Sequence, residues 1–393
     1  MLGSIVLDLF IAAILIGYLV YGYQIGLVRS LGGIIGVVVG AFVAILLVPL
    51  LTAWVEDPSL RTGVIIAVVL ALVVGGYMGG SAIASAIQRR MKLRGLRRVD
   101  RALGAILTTV VAALVVSTLA TSIAGLGVPV LSQAISSSAV LRGINAITPD
   151  PLESFLAQVR SATVDQSLPR IAQALGGGSG PIPDVSTSTP ALNRAAQSVV
   201  RITGNAYACG QSQSGSGFVV SGQRVITNAH VVAGVQHPVV DVRGGPALQS
   251  TVVYFDPIGD LAVLDVPGLN LRALPLGPTV SAGTHGVSDG YPFGGPFVSI
   301  PVGIDQVGTI DVDNIYADGK APREVYSLSA NVQEGDSGGP LLTTNGVVAG
   351  VIFAKGATTP NIGYAISMKS VAPVAHKAAS LSTAVSAGRC TRG

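Results

Sequence analysis

Three short segments carry side chains that could do chemistry together. His230 lies in TNAHVV, Asp260 in GDLAVLDV and Ser337 in EGDSGGP. A serine hydroxyl is a poor nucleophile at its free pKa. It becomes effective when an imidazole takes its proton and a carboxylate holds that imidazole in place. The glycines beside Ser337 let the backbone curl. The N–H groups of Gly335 and Ser337 can then converge on an oxyanion developing on an attacked carbonyl. The three residues follow one another at spacings of 30 and 77.

Other carboxylates compete for the third place. Asp256 sits in a DPIGD turn, where its side chain can cap the turn. Asp265 lies between Leu264 and Val266 on a strand and points to the opposite face. Asp260, which opens the apolar run, is the preferred orienting acid. His237, His285 and His376 read as surface or turn residues. No cluster has metal-ligand spacing, so neither a metal nor another cofactor is expected.

The elements around these residues read as strands. Short β-branched runs fall at 198–202, 217–220, 225–227, 239–242, 250–254, 261–266, 303–310, 325–328, 347–353 and 363–366, broken by Gly, Pro and Asn. Frequent turn signals between short strands predict an all-β barrel or sandwich. About 200 residues suit a pair of six-stranded barrels. This domain is placed at 191–393.

The first third of the chain is different. Over the whole chain only 11% of residues are charged and mean hydropathy is +0.62, which excludes disorder and a wholly soluble protein. Four apolar stretches, near 4–23, 31–53, 62–87 and 102–127, are long enough to cross a bilayer. They define an α-helical membrane domain at 1–127. Residues 1–130 carry nine Lys/Arg against four Asp/Glu, while 131–393 carry fifteen against sixteen. The basic excess therefore belongs to the membrane part, and a nucleic-acid partner is not expected.

Seven positive charges between 88 and 101 place that loop in the cytoplasm, with the turn near Arg29 on the same side. The loop with Glu56 and Asp57 then faces outward, as do both termini and everything after about Gly127. Glycines recur at four-residue spacing (Gly22/Gly26, Gly32/Gly36/Gly40, Gly75/Gly79, Gly76/Gly80) and predict close helix packing. Asp8 sits near the outer end of the first span.

Cys209 and Cys390 both fall in the outward domain, where such a pair usually becomes a disulfide. The bridge would close a loop of roughly 180 residues, worth up to about 5 kcal/mol by chain entropy. Residues 128–190 read as a tether, with short amphipathic pieces near 151–160 and 168–175. Its 176–190 stretch, GGGSGPIPDVSTSTP, is too polar and too rich in Gly and Pro to bury a core. Tethering raises the local concentration of this segment at the active site to about the millimolar range, so self-cleavage is expected.

The order His, Asp, Ser is that of the chymotrypsin-like class. The GDSGGP segment resembles the trypsin-like serine proteases, and TNAHVV with DLAVL is most similar to their HtrA branch. Asp8, Gly22, Gly26 and Arg29 resemble the start of the colicin V production (CvpA-like) membrane family. Four spans before one protease domain are similar to the membrane-anchored periplasmic proteases of actinobacteria. These resemblances imply a double β-barrel, hydrolysis of peptide bonds in periplasmic or envelope proteins, and a role in surviving acid.

They also imply that Asp336 pairs within the domain and shapes the oxyanion loop. Asn331, six residues before the serine, should lie at the base of the specificity pocket. Phe353, Ala354 and Lys355 should form one wall and pair with substrate backbone. Lys355 departs from the usual small residue there, so it either narrows the pocket or meets an acidic group. The rival reading is a CvpA-like channel or scaffold with a sensing outer domain. The complete catalytic set argues for the hydrolase.

Overall fold

The computed structural model describes residues 2–54, 58–89, 94–124, 128–161, 168–171, 180–206, 208, 211–357, 359 and 361–391. Glu56, Asp57, Arg90, Lys92 and Cys209, each singled out above, lie outside them, as does the 176–179 part of the tether. The chain forms two compact units, Asp8–Ser117 and the remainder.

The first unit holds four long helices: α1 (Leu2–Ile25), α2 (Leu27–Trp54), α3 (Pro58–Arg89) and α4 (Arg94–Ala124). Each contains a run long and apolar enough to cross a bilayer: Gly3–Ile25, Leu27–Leu47, Gly63–Gln88 and Leu96–Ala124. The first turn is tighter than expected. Gly26 alone, at φ +80°, separates α1 from α2. Arg29 therefore sits inside α2, where its Nε donates to Ser81 Oγ at 3.0 Å. The basic stretch is also less of a loop than expected, because Arg94, Arg97, Arg98 and Arg101 lie in the first two turns of α4.

Asp100 is buried and ties this turn together. It accepts the Val28 N–H (3.0 Å) and the Gln88 amide (2.7 Å), and that amide also reaches Ile25 O. A carboxylate at the start of α2 satisfies an amide that the helix itself leaves unpaired.

The glycine ridges divide into two kinds. A Cβ on Gly32, Gly36, Gly76 or Gly80 would strike backbone of the facing helix, since α2 and α3 meet there. Gly22 meets Gly104 backbone of α4 in the same way, while Gly26 is closed in by the Asp100 and Gln88 side chains. Gly75 and Gly79 meet nothing within 4 Å and take no part in the packing. A Gly36→Val chain should accordingly lose its folded membrane unit and run as aggregate on gel filtration in detergent. A Gly75→Val chain should elute like the wild type. Equal profiles for the two would refute the packing assignment.

The second unit begins with α5 (Pro129–Ser136), α6 (Ala139–Ile147) and α7 (Asp150–Ser161), then β1 (Arg170–Ile171). Here the described residues of the expected tether include helices that pack on the unit. Ser138 caps α6 through Leu141 N (3.1 Å), and Leu141 and Ile144 are buried. Ser136 accepts the Ala247 N–H (2.9 Å), and Ala157 of α7 is 2% exposed. The expected 151–160 helix is present, but 168–171 is extended rather than helical, because it finds a strand to pair with.

After α8 (Pro190–Ala196) come β2 (Val199–Ala206), β3 (Gln211–Ser221), β4 (Arg224–Thr227) and a one-turn helix, α9 (Ala229–Val232). Then follow β5 (Val239–Asp241), β6 (Ala247–Gln249), β7 (Thr251–Asp256) and β8 (Leu261–Asp265). These strands form one sheet in the order β6-β5-β2-β3-β4-β8-β7. Its two edge strands are joined by Ser250 alone, so the sheet must curl on itself.

The second sheet contains β9 (His285–Gly290), β10 (Val298–Asp313), β11 (Lys320–Ser329), β12 (Pro340–Thr343), β13 (Val348–Gly356) and β14 (Ile362–Ser367), followed by α10 (Met368–Lys377). β13 pairs with both β12 and β14, which closes six strands into a barrel. All ten expected strand runs are strands, though with shifted ends. The strands β6, β9 and β12 carried no β-branched run and were not expected.

Alternation builds two layers of core. On β8, Leu261 and Val263 face the core shared by the two sheets, while Ala262 and Leu264 face the interior of the first. On β13, Val351 and Phe353 face the shared core, while Ala349 and Ile352 face the interior of the second. Each Val, Leu, Ile or Phe among them contributes roughly 1.5–3 kcal/mol by burial.

Candidate active site

His230 stands on α9, the single helical turn that follows β4, rather than on a strand. Asp260 ends the turn into β8. Its φ of +56° is unusual for a residue with a Cβ. Contacts hold it there. Its carboxylate accepts hydrogen bonds from His230 Nδ1 at 2.8 and 3.0 Å and from the His230 backbone N–H at 3.0 Å. Its carbonyl accepts the Asn228 amide at 2.7 Å. With Nδ1 turned to the carboxylate, Nε2 is the nitrogen left for proton transfer.

The competing carboxylates are engaged elsewhere. Asp256 accepts the N–H groups of Ile258 (3.0 Å) and Gly259 (2.9 Å), closing its own turn. Asp265 pairs with Arg224. His237, His285 and His376 are exposed.

Ser337 comes from the other sheet, on the loop before β12. Its hydroxyl is buried and has no hydrogen-bond partner among the described residues. His230, Gly335 and Ser337 line one small cavity of about 30 Å³, together with Gln213, Ser214 and Leu168. Gly335 has φ +95°, and a Cβ there would lie 2.8 Å from Phe293 N, so only glycine fits.

Ser216 of β3 holds this loop, and the sequence analysis missed it. Its N–H donates to Ser337 O (2.7 Å) and its hydroxyl to Gly335 O (2.7 Å), while that hydroxyl accepts the Tyr291 N–H (2.9 Å). A serine in a glycine-rich strand has no periodic signal that would mark it.

The residues expected at the specificity pocket do not line this small cavity. Asn331 is exposed and accepts the Gln333 side-chain amide, away from this cavity. Phe353 turns into the shared core beneath the Arg323 guanidinium, 5.2 Å from its ring centre. Ala354 is fully buried. Lys355 is partly exposed, and its ammonium lies 3.4 Å from Glu334, the residue before Gly335. It therefore meets an acid of the protein itself. Among the described residues, no group of three His, Cys, Asp or Glu side chains could hold a metal ion.

Two further carboxyls are buried near the nucleophile. Burial pushes Asp336 up to about 7, although its carboxylate accepts the Gln333 N–H at 2.8 Å. Burial likewise pushes Asp289 on β9 up to about 6, against the pull of Ser299 and the Arg243 guanidinium. Both groups are harder to ionise folded than unfolded. Their stabilising effect is complete below the unfolded pKa near 4 and is lost as pH rises through about 6 and then about 7. Asp336→Asn should flatten this decline. Its melting temperature should fall less than that of the wild type between about pH 5 and about pH 8. Parallel pH profiles in thermal unfolding would show that Asp336 titrates normally.

Two curled β-sheets with histidine and aspartate on one and a serine in a glycine loop on the other define a trypsin-like serine protease. Family comparison agrees. Residues 215–351 match the trypsin-like peptidase domain, and residues 7–149 match the Colicin V production protein family. Serine protease Rv3671c of Mycobacterium tuberculosis is 33% identical over 380 residues, covering 93% of this chain and 94% of that protein. Its crystal structure in the active form superposes with a TM-score of 0.50 at 34% identity, covering 56% of this chain and all of that one. Protease Do-like 4 of Arabidopsis thaliana is 37% identical over 165 residues, 40% of this chain and 30% of its own length. The chain belongs to the family of Rv3671c, serine proteases carried behind a Colicin V production domain.

Proposed function

We propose that the protein is a membrane-anchored serine endopeptidase acting outside the cytoplasm. Ser337 attacks the scissile carbonyl. His230 accepts its proton and returns it to the leaving amine. Asp260 orients His230 and stabilises it when charged. The amides of Gly335 and Ser337 receive the oxyanion. The observation that carries this reading is the double contact of Asp260 with the His230 ring, at 2.8 and 3.0 Å, beside the cavity that Ser337 shares.

The outward placement rests on the positive charges between 88 and 101. A Cys209–Cys390 bridge accords with it. These are the two cysteines of the sequence, and an oxidising compartment outside the cytoplasm joins such a pair. The C-terminal tail also docks on the first sheet, with Gly234 N–H donating to Ala387 O (3.0 Å) and Val385 N–H to Val252 O (2.9 Å). A role in acid or other stress rests only on likeness to the actinobacterial proteases. Self-cleavage within 128–198 follows from tethering.

A fluorophosphonate should label the full-length protein in detergent, and Ser337→Ala should abolish labelling. His230→Ala should slow it by about a hundredfold or more. Membranes of the wild type should also contain a C-terminal fragment that Ser337→Ala membranes lack. Labelling that persists without Ser337 would end the protease assignment.

Topology is tested separately. In intact cells, Leu96→Cys should resist a membrane-impermeant thiol reagent and Gly178→Cys should react. The opposite pattern would place the catalytic unit in the cytoplasm.

A further inference from the structure

The segment 168–171 of the tether lies against the catalytic sheet. Arg170 and Ile171 stand opposite Lys355 and Gly356 in parallel register. The Lys355 N–H donates to Pro169 O (3.1 Å) and the Ala357 N–H to Ile171 O (2.9 Å). On its other side Lys355 pairs with Gly363 of β14, and β12 takes only Val348–Val351 of β13. Lys355 and Gly356 at the end of β13, with Ala357 just beyond it, therefore have an edge that β12 leaves to another strand.

Leu168 reaches further in. It is 6% exposed, joins the apolar cluster of Val332, Leu341 and Ile352, and lines the cavity of His230, Gly335 and Ser337. The segment is anchored downstream, where Ser329 Oγ donates to Gly180 O (2.9 Å) and Pro183 packs on Gly303. Upstream, Ala157 of α7 packs on Gly295.

An open strand edge beside a nucleophile is where an extended peptide docks, its backbone pairing with the edge and its side chains entering pockets. We propose that residues 168–171 form a self-inhibitory strap, in which the chain's own tether fills that peptide-binding edge and Leu168 fills the apolar hollow an incoming peptide would use. This rests on the protease reading above.

Two features keep the strap from being cut where it lies. The two directions of an extended segment exchange the positions of N–H and C=O. A productive segment brings a carbonyl carbon to Ser337 with its nitrogen toward His230, and in the proposed strap the parallel run of β1 is the opposite direction. Leu168, the tether residue that lines the cavity among the described residues, is followed by Pro169, whose nitrogen sits in a ring that crowds the preceding residue. The tether supplies a high effective concentration, which offsets the small contact. Substrates that displace the strap should share its chemistry, an extended segment with a leucine-like anchor.

The test uses full-length protein in detergent, carrying either Leu168→Asp or the joint replacement Leu168→Gly, Pro169→Ser, Arg170→Gly and Ile171→Ser. A strap that occupies the site nine-tenths of the time weakens apparent substrate affinity about tenfold. Both variants should therefore lower KM for a fluorogenic peptide by about tenfold, with kcat within about twofold of wild type. A synthetic 166–173 peptide should inhibit them competitively and remain intact by mass spectrometry. In the wild type, the Lys355 and Ala357 amides should be protected from hydrogen exchange. Unchanged KM in either variant that keeps the wild-type melting temperature would overturn the strap. So would cleavage of the synthetic peptide, or unprotected Lys355 and Ala357 amides. If the wild type and both variants fail to hydrolyse peptides or to label at Ser337, the protease reading itself has failed and the strap falls with it.

Discussion

The base and the nucleophile of this protein are built on different sheets, and the catalytic arrangement depends on how those sheets are joined. Ser216 is the joint. It belongs to β3, yet its N–H and hydroxyl hold the carbonyls of Ser337 and Gly335, and its hydroxyl takes the Tyr291 N–H. Thr227 in turn donates to Ser216 O at 2.7 Å. These groups are buried, where an unpaired donor or acceptor costs about 1–3 kcal/mol. The loop with Ser337 is thus locked to the sheet that carries His230 and Asp260.

Around that joint the strands do two jobs at once. Alternating residues of β8 and β13 fill the shared core on one face and the interior of their own sheet on the other. Packing at native density leaves little freedom for either sheet to slide. Strain is placed where chemistry needs it. Asp260 and Gly335 both have positive φ. Asp260 is held by three hydrogen bonds of its carboxylate and one of its carbonyl, while Gly335 has no Cβ to clash.

The membrane unit solves a different problem, because apolar side chains gain little from one another in lipid. Close backbone approach and buried hydrogen bonds replace the hydrophobic effect there. Gly36 against Gly76 brings α2 and α3 together, and Asp100 ties the α1–α2 turn to α3 and α4. The tether is similarly more than a spacer. Its helices and Leu168 bury apolar surface on the protease unit, and 168–171 completes a strand edge that would otherwise be open.

Much of this was legible in the residues. The spans follow from length and hydropathy, the strands from β-branched runs, and the three chemical residues from short motifs in which each neighbour has a reason. What escaped was set by contacts distant in sequence. β9 and β12 are strands because β10 and β13 pair with them, not because HGVSDG or PLLT prefers to be. The exposure of Asn331 and the turn of Phe353 into the core were not legible either, since both were read by counting along the chain. Side-chain direction depends on the register of neighbouring strands, which counting does not supply. Leu168–Ile171 carries a weakly amphipathic pattern compatible with a helix, and only the free edge of β13 decides that it is extended. Which residues could react, and which segments must be membrane or sheet, follow from local composition and spacing. Tertiary structure alone decided which buried groups meet across 100 residues or more, because each such contact needs a partner that no local pattern names.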